Sequence, residues 1–333
     1  NSSGWALKRD KTLYAWGFNG YGYFGLGDTI HRSSPVQIAG SWERISVGGA
    51  YSILGIKVGS TLWAWGSNSY GLIGDNSNVS GRSSPVQLAG TTWVRTATSG
   101  VANAALKSDG TLWVWGRGRD TGLNTTINKS SPVQLSGTWS DISSTGYGFI
   151  GKKSDGTFWA WGTASNGVAA QGISDTTLYS SPVQVSGNTW NAIGQFSSFS
   201  PLASKTDGSL WTWGSNSYGQ LGLNYVTIPL GVQPSSPTQI GSDKTWTTAD
   251  IGYYHGGAIK SDKTLWMWGT NGDGQLGDNT VIDKSSPVQI TGSWKGINVS
   301  ENSYVTLAVK SDGTLWAWGS NYWGTLGQNN TTT

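Results

Sequence analysis

The sequence contains no cysteine, which excludes disulfide bonds and any metal site built on thiolate ligands. It has only two histidines and two glutamates, so the side chains that most acid–base and nucleophilic sites require are scarce. His255 is the only plausible catalytic base, and the repeat pattern supplies no nucleophile or orienting residue for it. We therefore expect a protein that is not an enzyme and that carries no cofactor or metal ion.

Charged residues make up only 12% of the 333 residues, and the formal net charge is +3. No run of lysine or arginine could neutralise a row of phosphates, so we expect no nucleic-acid partner. No apolar stretch reaches the roughly 18 residues of a membrane-spanning helix, so we expect no insertion into a membrane. The only methionine is Met267 and no signal peptide is present, which predicts a processed chain or part of a longer one.

Glycine and tryptophan are abundant instead, with 50 and 21 residues. Glycine at this level without a collagen period indicates many tight turns, and abundant tryptophan indicates a large buried core. Many Ser, Thr, Asn and Gly residues with few charges favour an extracellular location, on a cell surface or a virion.

The chain is a tandem repeat with a mean period of about 50 residues. A Trp-rich segment ends in glycine seven times, at Gly17, Gly66, Gly116, Gly162, Gly214, Gly269 and Gly319. The proline of a Ser-Pro pair recurs six times, at Pro35, Pro85, Pro132, Pro182, Pro237 and Pro287. A lone tryptophan follows each proline, at Trp42, Trp93, Trp139, Trp190, Trp246 and Trp294.

Each repeat is predicted to form four short strands. In the second full repeat these are 85–88, 93–97, 103–107 and 111–115. The last two are joined by Ser-Asp-Gly at 108–110, a tight-turn signal between apolar runs that predicts a hairpin. No segment has a long apolar period of 3.6 residues, so we expect almost no helix.

The Trp-x-Trp strand predicts how the sheets pack. Alternation places Trp63 and Trp65 on one face of the strand, and Leu62 and Ala64 on the other. Both faces are apolar, so both must be covered, with the indoles of one sheet on the small residues of the next. Units of this kind favour an all-β, seven-bladed β-propeller that spans residues 1–333 as a single domain.

These markers resemble the regulator-of-chromosome-condensation repeat family, whose unit has a hairpin ending in Trp-Gly and then Asn-x-x-Gly-Gln-Leu-Gly. The motif is complete at 216–222 and 271–277, and looser at 68–74 and 321–327. The regular Trp-x-Trp-Gly and Ser-Ser-Pro-Val-Gln spelling is most similar to bacterial and phage members. Family members mostly bind macromolecules: a small GTPase in the founding type, an enzyme in a β-lactamase-inhibitor type. The resemblance therefore implies binding rather than catalysis.

The predicted ring does not close with the strands present. Seven hairpins occur, but only six Pro-Val-Gln strands and six lone-Trp strands, so a closing segment is missing. Two explanations remain open: the missing strands lie in flanking sequence, or a neighbouring subunit donates them to the open edge.

The loop after the lone-Trp strand is the predicted binding site. It varies between repeats while the strands around it do not, and loops on a rigid scaffold commonly carry specificity. Five of six copies contain Tyr or Phe, which are favoured anchors in protein interfaces. The candidate partner-binding residues are Tyr51, Asn103, Tyr147, Phe149, Phe196, Phe199, Tyr253, Tyr254, His255 and Tyr304. The alternative is that these rings only plug the top of the channel.

A second aromatic set lies in the Asn-x-aromatic-Gly loops, which we expect on the opposite face. Its members are Tyr21, Tyr70, Tyr218 and Trp323. Repeated exposed rings could stack on sugars, which makes a glycan-binding propeller the main alternative function. The rings could equally pack on the neighbouring blade. Exchange on a small GTPase, the third possibility, would require an acidic or loop element that the sequence does not contain.

Two further patterns have a structural explanation. Asn271, Asp273 and Asp278 could suggest a calcium loop, but they occupy the repeat's own turn and lack the terminal glutamate of such loops. One plant branch of the family senses ultraviolet light through clustered tryptophans, whereas here the tryptophans recur at predicted core positions. The predicted function is thus a recognition scaffold whose partner is a host protein or a neighbouring structural subunit.

Overall fold

The computed structural model describes residues 3–48, 52–163, 177–197, 200–226, 234–299, 304–322 and 326, with the backbone alone at 192–197. These residues form 26 β-strands and two single-turn 3-10 helices, Ser69–Gly71 and Gly118–Asp120. The predicted all-β class is confirmed. None of the described helices is long and apolar enough to cross a membrane.

The chain divides into two compact units, of which the first holds Asn1–Asp155, Trp159–Thr163 and Leu178–Val183, and the second the remainder. In the first unit, sheet 1 has the strands β1 (Ser3–Leu7), β2 (Leu13–Gly17) and β3 (Arg32–Ile38). Sheet 2 has β4 (Trp42–Val47), β5 (Ser52–Lys57), β6 (Thr61–Ser67) and β7 (Gly81–Gln87). Sheet 3 has β8 (Trp93–Thr98), β9 (Ala102–Lys107), β10 (Leu112–Gly116) and β11 (Lys129–Leu135). Sheet 4 has β12 (Trp139–Thr145), β13 (Gly148–Lys153), β14 (Phe158–Thr163) and β15 (Leu178–Gln184).

The second unit continues the same pattern with three sheets. Sheet 5 has β16 (Trp190–Ser197), β17 (Ser200–Lys205), β18 (Leu210–Thr212) and β19 (Thr238–Gln239). Sheet 6 has β20 (Trp246–Ile251), β21 (His255–Lys260), β22 (Leu265–Gly269) and β23 (Lys284–Ile290). Sheet 7 has β24 (Trp294–Val299), β25 (Val305–Lys310) and β26 (Leu315–Gly319).

The boundaries of the sheets do not coincide with the boundaries of the predicted sequence repeats but are shifted by one strand. The Pro-Val-Gln strand β7 pairs with β6 before it, where Trp63 faces Gln87 and Ala64 faces Val86. Each complete sheet therefore runs from a lone-Trp strand, through a hairpin, to the Pro-Val-Gln strand of the following repeat. As a result, the described strands of sheet 1 include no lone-Trp strand and those of sheet 7 no Pro-Val-Gln strand.

The predicted Asp-Gly hairpin is confirmed at β9–β10. The Gly110 amide donates to the Lys107 oxygen at 3.0 Å, and Gly110 has a φ of +83°, which glycine adopts without strain. The Asp109 carboxylate accepts bonds from the Thr111 amide and hydroxyl at 2.9 and 2.7 Å. Those two bonds lower the pKa of Asp109 below its usual value, so the turn aspartate stays ionised and closes the turn.

Consecutive sheets pack through tryptophan in the predicted way. Trp65 of sheet 2 is fully buried in a cluster with Leu13 and Ala15 of sheet 1, and its ring centroid lies 5.3 Å from that of Trp42. The first tryptophan of the pair, Trp63, is only half-buried. In sheets 2 to 6 the second indole of the pair is buried and therefore supplies most of the core contact.

The second indole also makes a hydrogen bond to the preceding sheet's loop. Its N–H donates to a main-chain oxygen in four pairs: Trp65 to Tyr23, Trp115 to Leu72, Trp268 to Gln220 and Trp318 to Gln275, at 2.5–2.9 Å. A buried asparagine holds each of these loops by accepting the amide hydrogen of a residue five positions later, as Asn216 does from Leu221 at 3.1 Å. The Trp-x-Trp-Gly and Asn-x-x-Gly motifs are thus two sides of one inter-sheet contact.

A lysine covers the first aromatic ring of the Trp-rich strand in every sheet; this ring is half-buried in sheets 1 to 6 and exposed at Trp316 in sheet 7. Lys57 Nζ lies 3.6 Å from the ring centroid of Trp63 and 4.9 Å from that of Trp42. The same arrangement joins Lys8 to Tyr14 in sheet 1, and recurs with Lys107, Lys153, Lys205, Lys260 and Lys310 in sheets 3 to 7. The cations at this end of the sheets are therefore used to stabilise the fold.

Candidate functional site: a tyrosine cluster at the loop end of sheets 5 to 7

Both sets of aromatic loops lie at the same end of their sheets. In sheet 6, Ile251 at the end of β20 pairs with Gly256, and Gly269 at the end of β22 pairs with His255 at the start of β21. The loops at 252–254 and 270–283 therefore leave from one edge, which we call the loop end, whereas the Asp-Gly hairpins occupy the other edge, the hairpin end. The expectation that the two sets occupy opposite faces is wrong, because successive antiparallel strands alternate in direction.

Four tyrosines from three successive sheets meet at this loop end. The ring centroid of Tyr254 lies 4.6 Å from that of Tyr253, 5.1 Å from Tyr218 and 4.5 Å from Tyr304. Tyr218 is 42% exposed, and the other three rings are half-buried. We call these four residues the tyrosine cluster; it joins one member of the expected glycan set to three members of the expected protein-binding set.

Buried hydrogen bonds fix the loop that carries Tyr218. The Tyr218 amide donates to the Gln220 side-chain oxygen at 2.9 Å, and Asn216 donates to the Tyr225 oxygen at 2.7 Å. Asn216 and Gln220 are both buried. The exposed ring therefore projects from a rigid, fully bonded turn rather than from a loose loop.

Sheet 6 repeats the geometry of this turn with a carboxylate in place of the ring. The Asp273 amide donates to the Gln275 side-chain oxygen at 2.9 Å, as the Tyr218 amide does to Gln220. Tyr254 and Tyr304 are also equivalent, since each immediately precedes the first residue of the second strand of its sheet. Asp273 thus occupies in sheet 6 the turn position that Tyr218 occupies in sheet 5.

Two phenols of the cluster, those of Tyr253 and Tyr304, have a raised pKa. A hydrogen bond with Tyr254, then burial, then the nearby charges of Tyr254 and Asp273, raise the pKa of Tyr304 to about 12. Burial also raises the pKa of Tyr253 above its ordinary value. Tyr253 and Tyr304 therefore offer aromatic faces and uncharged hydroxyl groups at neutral pH.

His255, the residue that follows Tyr254, is buried and stabilises this part of the tyrosine cluster through a hydrogen bond. It is fully buried, and its Nε2 lies 2.8 Å from the Thr306 hydroxyl, which itself donates to the Gln275 oxygen at 2.8 Å. The hydroxyl hydrogen is used in that second bond, so Nε2 carries the proton that His255 donates to Thr306. Burial lowers the pKa of His255 to about 3, so the imidazole is neutral and connects sheet 6 to sheet 7.

Three predicted contact residues are buried and cannot form part of an exposed surface. Asn103, Phe149 and His255 are 0–1% exposed. Asn103 Nδ2 donates to the Leu72 oxygen at 2.7 Å, and the Phe149 ring packs on Trp161 with centroids 5.7 Å apart. The physical reason is that β9, β13 and β21 begin earlier than the predicted loops allow, which turns these side chains into the core.

The remaining predicted residues are distributed between the two units. Tyr147, Tyr21 and Tyr70, in the first unit, are exposed at 47%, 59% and 45%. Arg117 lies over the Tyr70 ring, 5.7 Å from its centroid. Phe196 is described by its backbone only, which pairs with Pro201. Three predicted residues lie outside the described residues: Tyr51, Phe199 and Trp323.

The acidic turn at 271–283 is a hydrogen-bonded loop. Asn271 Nδ2 donates to Asp278 at 2.9 Å, and Asn271 Oδ1 accepts from the Leu276 amide at 2.9 Å. In the part of the chain that the structure describes, no group of three or more His, Asp or Glu side chains could hold a metal ion.

Comparison with known proteins identifies the repeat. A family model described as "Regulator of chromosome condensation (RCC1) repeat" matches residues 10–54, 207–259 and 262–302. The chain is 33% identical over 110 residues to the probable E3 ubiquitin-protein ligase HERC3 of Homo sapiens, a match that covers 32% of this chain and 9% of that protein. It is 36% identical over 86 residues to the ultraviolet-B receptor UVR8 of Arabidopsis thaliana, covering 25% and 18%. The matches thus span less than a fifth of the length of these relatives.

Solved structures with the same fold cover nearly the whole chain. Prp20p from Saccharomyces cerevisiae, whose structure was described together with its binding to Gsp1p and histones, has a TM-score of 0.76 at 18% identity, covering 98% of this chain and 85% of that one. Human WBSCR16 has a TM-score of 0.75 at 16% identity, covering 96% and 92%. At these identities the likeness shows the fold alone. Together with the seven sheets, it confirms the predicted seven-bladed β-propeller.

Proposed function

This chain belongs to the RCC1-type repeat family, and on that premise we propose that it is a non-enzymatic scaffold that docks a protein partner through the tyrosine cluster. The observation that carries the proposal is the convergence of Tyr218, Tyr253, Tyr254 and Tyr304 from three sheets at one loop end. Tyrosine gives a large amphipathic contact area with few rotatable bonds, which makes it a favoured anchor in protein interfaces.

The support beneath the cluster favours docking without rearrangement. Buried Asn216, Gln220 and His255 hold the loops through bonds of 2.7–3.1 Å, so little conformational entropy remains to be lost when a partner binds. The low charge and the abundance of Ser, Thr, Asn and Gly support an extracellular site of action, on a cell surface or a virion, with a host protein or a structural subunit as the partner.

Glycan binding is the second candidate, because exposed tyrosines recur at equivalent loop positions. Tyr21, Tyr70 and Tyr218 are 59%, 45% and 42% exposed. Tyr218 packs on Tyr254, Tyr70 lies beneath Arg117, and Tyr21 stacks on Tyr23 with ring centroids 5.4 Å apart. That packing leaves less ring face for a sugar and ranks this function below protein docking. Exchange on a small GTPase is not proposed, because the likeness to Prp20p supports the fold only.

Paired variants separate the two candidates. Tyr253→Ala with Tyr254→Ala removes the centre of the cluster, whereas Tyr21→Ala with Tyr70→Ala removes exposed rings outside it. We expect the first pair to abolish retention of the native partner in co-purification from the native assembly, and the second pair to retain it. Unchanged co-purification by the first pair, or saturable binding of several sugars per chain that the second pair abolishes, would contradict the proposal.

A further inference from the structure

Three rings of the tyrosine cluster, those of Tyr218, Tyr254 and Tyr304, differ from the first aromatic ring of each Trp-rich strand, over which a lysine lies. Every sheet places a lysine over its first aromatic ring, with Nζ 3.6–4.7 Å from the ring centroid. All lysines and arginines of the chain lie in the described ranges, and none of them lies over the rings of Tyr218, Tyr254 or Tyr304. These three rings therefore form an aromatic surface over which none of the chain's lysines or arginines lies.

The lysines of the second unit are concentrated at one end of its sheets. Six of its seven lysines lie at the hairpin end, at Lys205, Lys244, Lys260, Lys263, Lys295 and Lys310. The seventh, Lys284, lies at the loop end and pairs with Asp278 at 3.7 Å. The same loop carries Asp273 and Asp283 in addition. The loop end of sheet 6 therefore has an excess of negative charge, although the whole chain has a net charge of +3.

Asp273 places part of that negative charge beside the cluster. It occupies the turn position that Tyr218 occupies one sheet earlier, and its charge contributes to the raised pKa of Tyr304, after the hydrogen bond with Tyr254, burial and the charge of Tyr254. Several aromatic faces with one carboxylate at their edge form a site that attracts an organic cation both by ring quadrupoles and by Coulomb attraction.

We propose that the tyrosine cluster and Asp273 together bind a lysine or arginine side chain presented by a basic segment of the protein partner. This inference rests on the proposed function and specifies the chemistry of the partner. Charge complementarity favours this occupant: a neutral or acidic segment would gain nothing from Asp273 and would leave the aromatic faces without a cation.

A labelled octalysine peptide tests the inference on the full chain, with the same peptide acetylated on every side chain as its neutral control. Fluorescence polarisation should show saturable binding of octalysine and none of the acetylated peptide. The net charge of +3 disfavours general attraction of a polycation, so binding would report a local site. Acetylated peptide binding as tightly as octalysine would overturn the inference.

Substitutions within the cluster distinguish the aromatic faces from the hydroxyl groups and from side-chain volume. Tyr254→Leu should weaken octalysine binding about fivefold or more, whereas Tyr254→Phe, which retains the ring, should bind within about twofold of the parent chain. Asp273→Asn should weaken binding by about threefold and reduce its salt dependence. Tyr70→Leu, in a ring of similar exposure outside the cluster, should leave binding unchanged. Equal binding by Tyr254→Leu and the parent chain would overturn the inference.

Failure of this inference is distinguishable from failure of the proposed function. If Tyr254→Leu leaves octalysine binding unchanged while Tyr253→Ala with Tyr254→Ala abolishes co-purification of the partner, docking stands and the cation site is wrong. If the partner co-purifies with all these variants, docking through the cluster is wrong, and the cation site falls with it.

Discussion

Trp268 donates its indole N–H to the main-chain oxygen of Gln220, 2.7 Å away, and so connects sheet 6 to the loop of sheet 5. The same loop presents Tyr218 to the cluster two residues earlier. The core indole and the exposed ring are therefore connected through one loop. The hydrogen bond that stabilises the contact between the two sheets also fixes the position of the loop that carries Tyr218. This arrangement explains how a repeat with a regular core can carry a variable surface.

Removing that bond should destabilise the protein more than removing an outer indole. Trp268→Phe leaves the Gln220 oxygen unpaired and opens a cavity in the core, so we expect the free energy of unfolding to fall by about 2–4 kcal/mol. Trp266→Phe serves as the control: its indole is half-buried and donates to Thr264, and we expect a loss of about 1 kcal/mol or less. Urea unfolding followed by tryptophan fluorescence checks both values, and equal losses would contradict the assigned role of the bond.

Alanine substitutions at three glycines in one turn should cost different amounts of stability, according to the space around each glycine and its backbone conformation. At Gly272 an added Cβ would meet no heavy atom of the described residues within 4 Å, and Gly274 has the same space among them but a φ of +71°. At Gly277, with a φ of +71°, a Cβ would lie 2.8 Å from Nε1 of Trp318. We expect Gly272→Ala to be nearly neutral, Gly274→Ala to cost about 1 kcal/mol, and Gly277→Ala to cost about 2–3 kcal/mol.

Thermal unfolding of the three variants tests that order. Gly274→Ala adds backbone strain to the change made by Gly272→Ala, and Gly277→Ala adds a clash with the indole as well. The order of the three stability losses is therefore a stronger test than the size of any one of them. A Gly277→Ala variant as stable as Gly272→Ala would show that the neighbouring tryptophan does not require glycine at the end of the motif.

Two buried groups should make opposite contributions to stability between about pH 4 and 6. Burial raises the pKa of Asp250 to about 6, against bonds from Val299, Ile251 and Asn298 that favour its ionised form. The folded state thus retains a proton that the unfolded chain releases near pH 4, and stability falls as pH rises from about 4 to 6. Burial lowers the pKa of His255 to about 3, so the unfolded chain binds a proton below about 6.5 that the folded state does not. That contribution makes stability rise with pH over the same interval.

The two variants should therefore shift the pH profile in opposite directions. Relative to the parent chain, Asp250→Asn should make the free energy of unfolding rise with pH, and His255→Gln should make it fall, each by up to about 1.4 kcal/mol per pH unit. Urea unfolding of each variant and of the parent chain at pH 4, 5 and 6 measures the difference in their free energies of unfolding. The other titrating groups contribute equally to both chains, so their contributions cancel in this difference. Parallel profiles for both variants would contradict the burial-driven shifts.

The sequence was sufficient to predict the strands and the core but not the cluster. Spacing alone identified the hairpin at Asp109 and the alternation of Trp63 and Trp65. It could also have assigned both aromatic loops to one end, since strand direction alternates, and it could have identified Asn103 and Phe149 as core residues. Asn103, Phe149 and Thr306 occupy the same position of the repeat: each is the second residue of the second strand of its sheet. The 5.1 Å contact between Tyr218 and Tyr254 depends on the spacing of two sheets, which no local pattern encodes.

Site-specific photo-cross-linking in the native assembly tests docking through the tyrosine cluster most directly. A benzophenone side chain is introduced in place of Tyr254 in one chain and in place of Tyr70 in a control chain, and the adducts are identified by mass spectrometry. We predict that position 254 forms an adduct with a second protein, at a peptide rich in lysine or arginine, and that position 70 does not. No protein adduct at position 254, or the same protein adduct at both positions, would contradict the account.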